Sequence, residues 1–320
     1  MKLEIHDSKP VVPVSLGRVG VVGVKMPVGF TFFKKKPVIV IPTFDIFIDL
    51  PASQKGIHAS RNYEITTDVL SKFIGKTYKL ENICNDIAIT LLKSHRYASR
   101  AEVKAEGEAL IEKHTPKTGM ISYEPCNLTA LAVAERKQRG GCTVRKMIGV
   151  SVTGITACPC AQELLRDASR REIIDHFSLP KETVNKILES LPLATHMQRS
   201  HGSIITEVPT GIEIDVSRLV DIVEKSMSAS SYGLLKRVDE AELVRRAVRN
   251  TRFVEDCIRF MMKNFAKSFP NLPDSTVVTF KQVSNESVHK HDFMAERTIN
   301  LRELRKTLRV SGKHGKSRCG

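Results

Sequence analysis

The chain has 320 residues, 41% of them hydrophobic, with 50 Lys and Arg against 35 Asp and Glu, seven Cys and no Trp. That length and apolar content support one large core or two ordinary ones, which excludes disorder as the main theme. No stretch approaches the ~20 consecutive apolar residues of a membrane span, because the run Pro37 to Leu50 is interrupted by Pro42, Thr43, Asp45 and Asp49.

Met1 to Pro10 mixes Lys2, Glu4, His6 and Asp7 and lacks the apolar segment of a secretory signal, so the expected location is the cytoplasm, with no membrane partner. Strands are expected at Arg18 to Val24 and Val38 to Leu50, followed by helical spacing in Thr66 to Phe73 and Leu80 to Leu92. Strands follow at Ala101 to Leu110, Met120 to Glu124 and Leu128 to Arg136, giving a first ββααββ module over 1–141 that ends near Gly140 and Gly141.

A second module over 142–300 repeats the order. It has strands at Val144 to Val152 and Ser203 to Ile214, helices at Val216 to Ser226 and Ala241 to Phe265, and strands at Val277 to Val283 and Glu296 to Leu301. A helical insertion, 161–191, separates its first two strands. Strands that flank a helix pair favour an α+β layer with antiparallel strands over a doubly wound parallel sheet. Neither G-x-G-x-x-G nor G-x-x-x-x-G-K-[ST] occurs, so a nucleotide phosphate would be held by side chains.

The net charge of +15 is uneven: residues 301–320 hold seven Lys and Arg against Glu303 alone and read as a basic C-terminal tail. A nucleic-acid binder is the rival of a different class. Against it stand the 5 Tyr, 13 Phe and no Trp, and the lack of an RNA-binding fingerprint.

The seven cysteines are odd in number and scattered, unlike a secreted disulfide framework, and only Cys158 and Cys160 lie close together. They fall where a strand gives way to a helical pattern, and Pro159 presents them at the turn. A helix N-terminus favours the thiolate of Cys160. Two buried thiols in a tight turn are the alternative.

In THMQRSH one of the two histidines, His196 or His201, would complete a metal site with Cys158 and Arg199 would hold an anion, a structural or exposed histidine being the alternative. His289 and His291, if extended, share one face of a strand, which suits metal binding or proton transfer; a solvent-facing loop would look the same. Glu224 falls at the edge of the apolar stripe Val216, Val220, Val223 and Met227, so it wants a cation, either a metal or a Lys or Arg. Asp239 also looks like a helix N-cap. Lys55, His58, Ser60 and Arg61 suit a polyphosphate, as they would suit an ordinary polar loop.

Together DLPASQKGIHASR, ACPCAQ, THMQRSHG, LLKRVDE, FVED and ESVHKH resemble the type IB GTP cyclohydrolase family, in that family's order, over roughly residues 10–297. PVSLGRVGVVGVK resembles its archaeal branch, which serves methanopterin biosynthesis. The resemblance implies the tunnelling fold, two ββααββ modules per chain, and a homo-oligomer, dimer or tetramer, with active sites at interfaces. It implies that GTP is opened at C8 with loss of formate. The archaeal branch gives 7,8-dihydroneopterin 2′,3′-cyclic phosphate, the alternative being the triphosphate that feeds folate synthesis.

By the same resemblance Cys158, His196, Glu224 and His289 are the metal ligands, and Cys160 is catalytic. Glu240 or Asp239 anchors guanine, and Lys55, His58, Ser60 and Arg61 take the triphosphate; His291 stands second to His289 as a ligand and, with the anion-holding Arg199, is otherwise expected at the substrate. The cofactor implied is a divalent metal, Fe(II) first, with Mn(II) or Zn(II) as alternatives. The resemblance assigns the basic tail no role.

Overall fold

The computed structural model describes residues 6, 8–30, 38–71, 79–138 and 140–314. The end of the expected helix Thr66 to Phe73, beyond residue 71, and residues 315–320 of the expected tail lie outside them. The chain divides into two compact units. The first comprises Met1–Ala109, Asn127–Val150 and Ile205–Ser217, and the second comprises Leu110–Cys126, Ser151–Ile204 and Arg218–Gly320. These units interleave, so they are a different division from the consecutive modules read in the sequence.

The first unit contains β1 (Leu16–Lys25), β2 (Val28–Phe30), β3 (Val38–Val40), β4 (Thr43–Leu50), α1 (Ala59–Ser71) and α2 (Leu80–Ser94). It also holds parts of β5 (Arg100–His114), β6 (Ile121–Arg136), β7 (Cys142–Ala157) and β8 (Met197–Glu207). β4 pairs antiparallel with β1, Ile48 opposite Val19, and with β5, Ile46 opposite Val103. Its alternation buries Phe44, Ile46, Ile48 and Leu50. Gly20 is required in β1, since any Cβ there would collide with the carbonyl of Ile46. In α2 the buried residues Leu80, Ile83, Cys84, Ile87 and Leu91 form a stripe at helical spacing. Burying each large aliphatic of this kind contributes about 1.5–3 kcal/mol.

The second unit holds the remaining parts of β5 to β8, with α3 (Pro159–Phe177), α4 (Lys181–Ser190), most of α5 (Val216–Ser226) and β9 (Ala229–Ser230). It continues with α6 (Arg237–Arg249), α7 (Val254–Ser268), β10 (Val277–Ser284), β11 (Phe293–Asn300) and α8 (Leu301–His314). Here the hydrogen-bonded neighbours run β5-β6-β7-β8-β10-β11, with β9 on β7. β10 and β11 are antiparallel, Phe280 opposite Arg297. Cys257, Ile258, Met261 and Phe265 of α7 are buried, and the Phe265 ring meets that of Phe280 edge to face at 5.6 Å. Close packing over β8 explains Gly202: a Cβ would lie 2.5 Å from Val223 Cγ1 and 2.8 Å from Gln282 Oε1.

The order ββααββ occurs twice, as β1-β4-α1-α2-β5-β6 and as β7-β8-α5-α7-β10-β11, with α3 and α4 as the expected insertion and β2-β3, β9 and α6 as additions. Four local expectations change. The expected helix Ala241 to Phe265 is two helices, because the Asn250 amide donates to the carbonyls of Met227 and Ser228 and ends α6. Asp256 then accepts from the N–H of Phe253 and starts α7.

Met120 to Glu124 and Leu128 to Arg136 are one strand, β6. The alternation Ser122, Glu124, Cys126, Leu128 runs through with Pro125 on the exposed face. The expected strand Ser203 to Ile214 starts earlier, at Met197, and ends at Glu207. Residues 301–314, expected as part of a basic tail, form α8, which buries Leu301 and Leu304. There Arg305 donates to Asp274 and to the carbonyls of Pro270 and Leu272.

Candidate active site

The second unit encloses a cavity of about 520 Å³. Cys158, Cys160, His196 and His289 all line it, beside Gln198, Arg252, Glu255 and Glu286, with Leu164, Phe253, Val254, Val288 and Phe293 as its apolar wall. Four of the side chains singled out in the sequence thus share one concavity, although they span more than 130 positions of chain.

The thiols are placed by the start of α3. Cys158 is its N-cap: its Sγ accepts from the N–H of Ala161 at 3.5 Å, and its carbonyl accepts from the Thr195 hydroxyl at 2.6 Å. Its N–H donates to the His196 carbonyl at 3.1 Å, which ties the thiol turn to the histidine strand. Pro159 occupies the first helical position, where its missing N–H costs nothing, and Cys160 follows, exposed.

His196 is oriented by a chain of two partners. The Gln198 Nε2 donates to Glu286 Oε1 at 3.1 Å, which turns the amide oxygen toward the imidazole, and His196 Nδ1 lies 3.0 Å from that oxygen. An oxygen acceptor there puts the ring proton on Nδ1 and leaves the Nε2 lone pair for a ligand. Glu286 Oε2 stands 3.9 Å from the same Nδ1. A thiol, an imidazole with a committed lone pair and a nearby carboxylate are the donor types a first-row transition metal takes. Among the described residues no three His, Cys, Asp or Glu side chains converge as a finished cage.

The period of β8 separates the other residues of its motif. His196, Gln198 and Ser200 fall on one face; Arg199 falls on the other and lines a separate cavity of about 330 Å³ with Met197 and Tyr232. His201 is also on that face, its Nδ1 3.1 Å from the Thr153 hydroxyl. His289 and His291 lie in the loop before β11, not in a strand; their rings stack at 5.4 Å and both meet Phe293 edge-on, and of the two only His289 lines the cavity.

Three carboxylates singled out in the sequence stand away from the cavity lining. Glu224 forms an ion pair with Lys113, both side chains 13% exposed, and burial pushes its carboxyl above the usual range while Lys113 pulls the other way. Asp239 is fully buried. Burial pushes its carboxyl up, but the Thr118 hydroxyl at 2.7 Å and the N–H groups of Thr118, Lys117 and Lys236 hold it well below the usual range. Its capacity is spent on the 115–119 turn and the start of α6. Glu240 is exposed in the first turn of α6.

Glu255, which the sequence reading did not single out, is the acidic side chain that lines the cavity from the first turn of α7. Its neighbour Arg252 donates to the Lys225 carbonyl at 2.9 Å and stacks over Phe260 at 3.9 Å. The break between α6 and α7, which places both residues, is the signal that a continuous-helix reading conceals.

Lys55, His58, Ser60 and Arg61 belong to the first unit, at the loop and first turn that open α1. The backbone there is tied by Lys55 N–H to Ser8 O at 2.9 Å, and the His58 ring meets His6 edge-on at 5.2 Å. Behind them His95 is fully buried with Nδ1 3.1 Å from the Tyr97 hydroxyl, and burial, with Arg61 and His58 nearby, lowers its pKa to about 4.

Residues 3–295 match the type I GTP cyclohydrolase folE2 family. The chain belongs to that family. Among its curated relatives, the GTP cyclohydrolase MptA of Methanococcoides burtonii is 42% identical over 303 residues, covering 94% of this chain and 95% of the relative. That of Methanothermobacter thermautotrophicus is 43% identical over 303 residues, 94% of each. The fold of this cyclohydrolase is shared with urate oxidases. The Arthrobacter globiformis uricase superposes with a TM-score of 0.53 at 8% identity, over 91% of this chain and 96% of that one. The Bacillus sp. TB-90 urate oxidase gives 0.50 at 10% identity, over 89% and 100%. At such identities the likeness concerns architecture alone, and the architecture is the α+β tunnelling fold expected from the sequence.

Proposed function

We propose that this cyclohydrolase hydrolyses GTP at C8 of the guanine ring, releases formate and yields 7,8-dihydroneopterin 2′,3′-cyclic phosphate for methanopterin synthesis in the cytoplasm. The observation that carries the reading is the single cavity lined by Cys158, Cys160, His196 and His289 together with Glu255 and Glu286. The MptA relatives support a cyclohydrolase of the methanopterin branch.

Glu255 is the carboxylate suited to the guanine edge, accepting from N1–H and the 2-amino group, in place of Asp239 or Glu240, which the fold employs elsewhere or leaves outside the cavity. Cys160, exposed at the first turn of α3, moves protons as the ring opens and the formyl group is released. Leu164, Phe253, Val254 and Phe293 give the reacting ring an apolar wall.

Cys158 Sγ and His196 Nε2 would hold a divalent metal, Fe(II), Mn(II) or Zn(II), with His289 and Glu286 at hand, and when bound it supplies a water of lowered pKa. Lys55, His58, Ser60 and Arg61 would bind the triphosphate in a homo-oligomer whose sites are completed between chains. Nucleic acid has no part in this reading.

The test is anaerobic incubation of metal-stripped protein with GTP and each metal in turn, following formate and resolving the pterin by mass. Metal-dependent formate with the cyclic phosphate is expected. A triphosphate product would overturn the branch, and no formate from folded protein with any metal would overturn the activity.

A further inference from the structure

Three hydroxyl side chains sit together on the neighbouring strands β7, β8 and β10: Thr156, Ser200 and Ser284. They are 1%, 0% and 1% exposed. The Thr156 Oγ1 is 2.7 Å from Ser200 Oγ and 3.1 Å from Ser284 Oγ. Thr156 and Ser284 line the cavity of Cys158, Cys160 and His196, and Ser200 lies outside its lining.

Each hydroxyl carries a single proton to donate, so two mutual bonds use two of the three and one O–H points elsewhere. Were the bonds directed from Ser284 through Thr156 to Ser200, the spare donor would be on Ser200, which is fully buried and has no further hydroxyl partner among the described residues. A buried donor left unpaired is costly enough to disfavour that direction. Both remaining arrangements put the spare O–H on Ser284 or Thr156, which are as buried as Ser200 in the free protein but line the cavity, where a bound molecule would supply the acceptor.

A neutral O–H suits a neutral acceptor, whereas phosphate oxygens are better served by charged donors. Thr156 is two residues before Cys158, at the end of the strand that leads into the thiol turn, and both residues line the cavity. In guanine, C8 is bonded to N9, which carries the ribose, and to N7, which has a free lone pair. We propose that the Thr156–Ser284 hydroxyl pair donates a hydrogen bond to N7 of the bound guanine, orienting the five-membered ring and drawing electron density from C8. No bond to the hydroxyls is made or broken. The proposal rests on the GTP reading above.

The experiment compares GTP with 7-deaza-GTP, in which carbon replaces N7, on the full-length metal-loaded enzyme. Expected for wild type is a Ki for 7-deaza-GTP above the KM for GTP by about threefold to tenfold, the range of one neutral hydrogen bond. Ser284→Ala and Thr156→Val should each lower kcat/KM for GTP by a similar factor while leaving the Ki of 7-deaza-GTP unchanged, and Ser284→Thr, which keeps the hydroxyl, should hold kcat/KM near the wild-type value. Loss of GTP and 7-deaza-GTP affinity in parallel would mean a structural role and overturn the proposal. So would equal affinity for the two nucleotides in wild type, a comparison that needs no variant to fold. Wild-type protein that releases no formate from GTP would overturn the function itself, an outcome distinct from either of these.

Discussion

The second unit holds two groups of acidic side chains that look alike in sequence and differ in what surrounds them. Glu224 and Asp239 are answered by their own chain, the first by the Lys113 ammonium and the second by the Thr118 hydroxyl and three backbone N–H groups. Glu255 and Glu286 line the cavity, and Glu286 holds the Gln198 amide that orients His196. A carboxylate whose lone pairs are already satisfied has little left for a metal or a purine. One that faces a concavity with a thiol and an imidazole is still available.

The largest effect expected in breaking this contrast is at the exposed thiol that shares the cavity with Glu255 and Glu286. Cys160→Ala should cut formate release by at least about 100-fold, the lower range for a lost proton-transfer group, with an unchanged melting curve. Wild-type turnover would remove Cys160 from the chemistry. Glu255→Gln should lower kcat/KM for GTP by about 10- to 100-fold, the value of a hydrogen bond to a charged group, whereas Glu240→Gln should leave it within about twofold. The reverse order, measured by steady-state kinetics, would return the purine anchor to α6.

Lys113→Ala probes the satisfied group. It strands Glu224 and should cost about 1–3 kcal/mol in chemical denaturation without changing metal content. Metal loss at full stability would contradict the pairing.

A smaller effect, in the first unit, comes from His95. Its folded pKa of about 4 lies below its unfolded value near 6.5, so between these limits the unfolded chain binds more protons. The stability it leaves intact at neutral pH is therefore lost as pH falls through 6.5 toward 4, amounting to about 2 kcal/mol at pH 5. His95→Gln should remove that part of the acid sensitivity, as read from denaturation midpoints at pH 7 and pH 5.

The sequence carried the repeat of strand and helix order because period-two and helical spacings are local and survive burial, as in α5 and β4. It also pointed to the thiols and His196, which line one cavity, because Pro159 and the strand-to-helix change that present the thiols are local features. Alternation along β8 puts Arg199 on the face opposite His196, a placement the motif alone does not announce. The sequence reading missed Glu255 because the α6–α7 break depends on Asn250 reaching the carbonyls of Met227 and Ser228, residues far back in the chain. For Glu224 the sequence left a metal and a Lys or Arg as alternatives, and nothing near it in sequence announces Lys113. Local pattern fixes which residue types reach a surface, and long-range pairing decides which of them remain free.

The most direct test of that division is metal retention by Glu286→Gln and Glu224→Gln side by side, loaded with the same metal and dialysed against a chelator of graded strength. The account predicts that Glu286→Gln loses metal about 10- to 100-fold more readily than wild type, the range for groups that orient a ligand, and that Glu224→Gln retains it. Retention by Glu286→Gln with loss from Glu224→Gln would contradict it and make Glu224 the ligand, Lys113 notwithstanding.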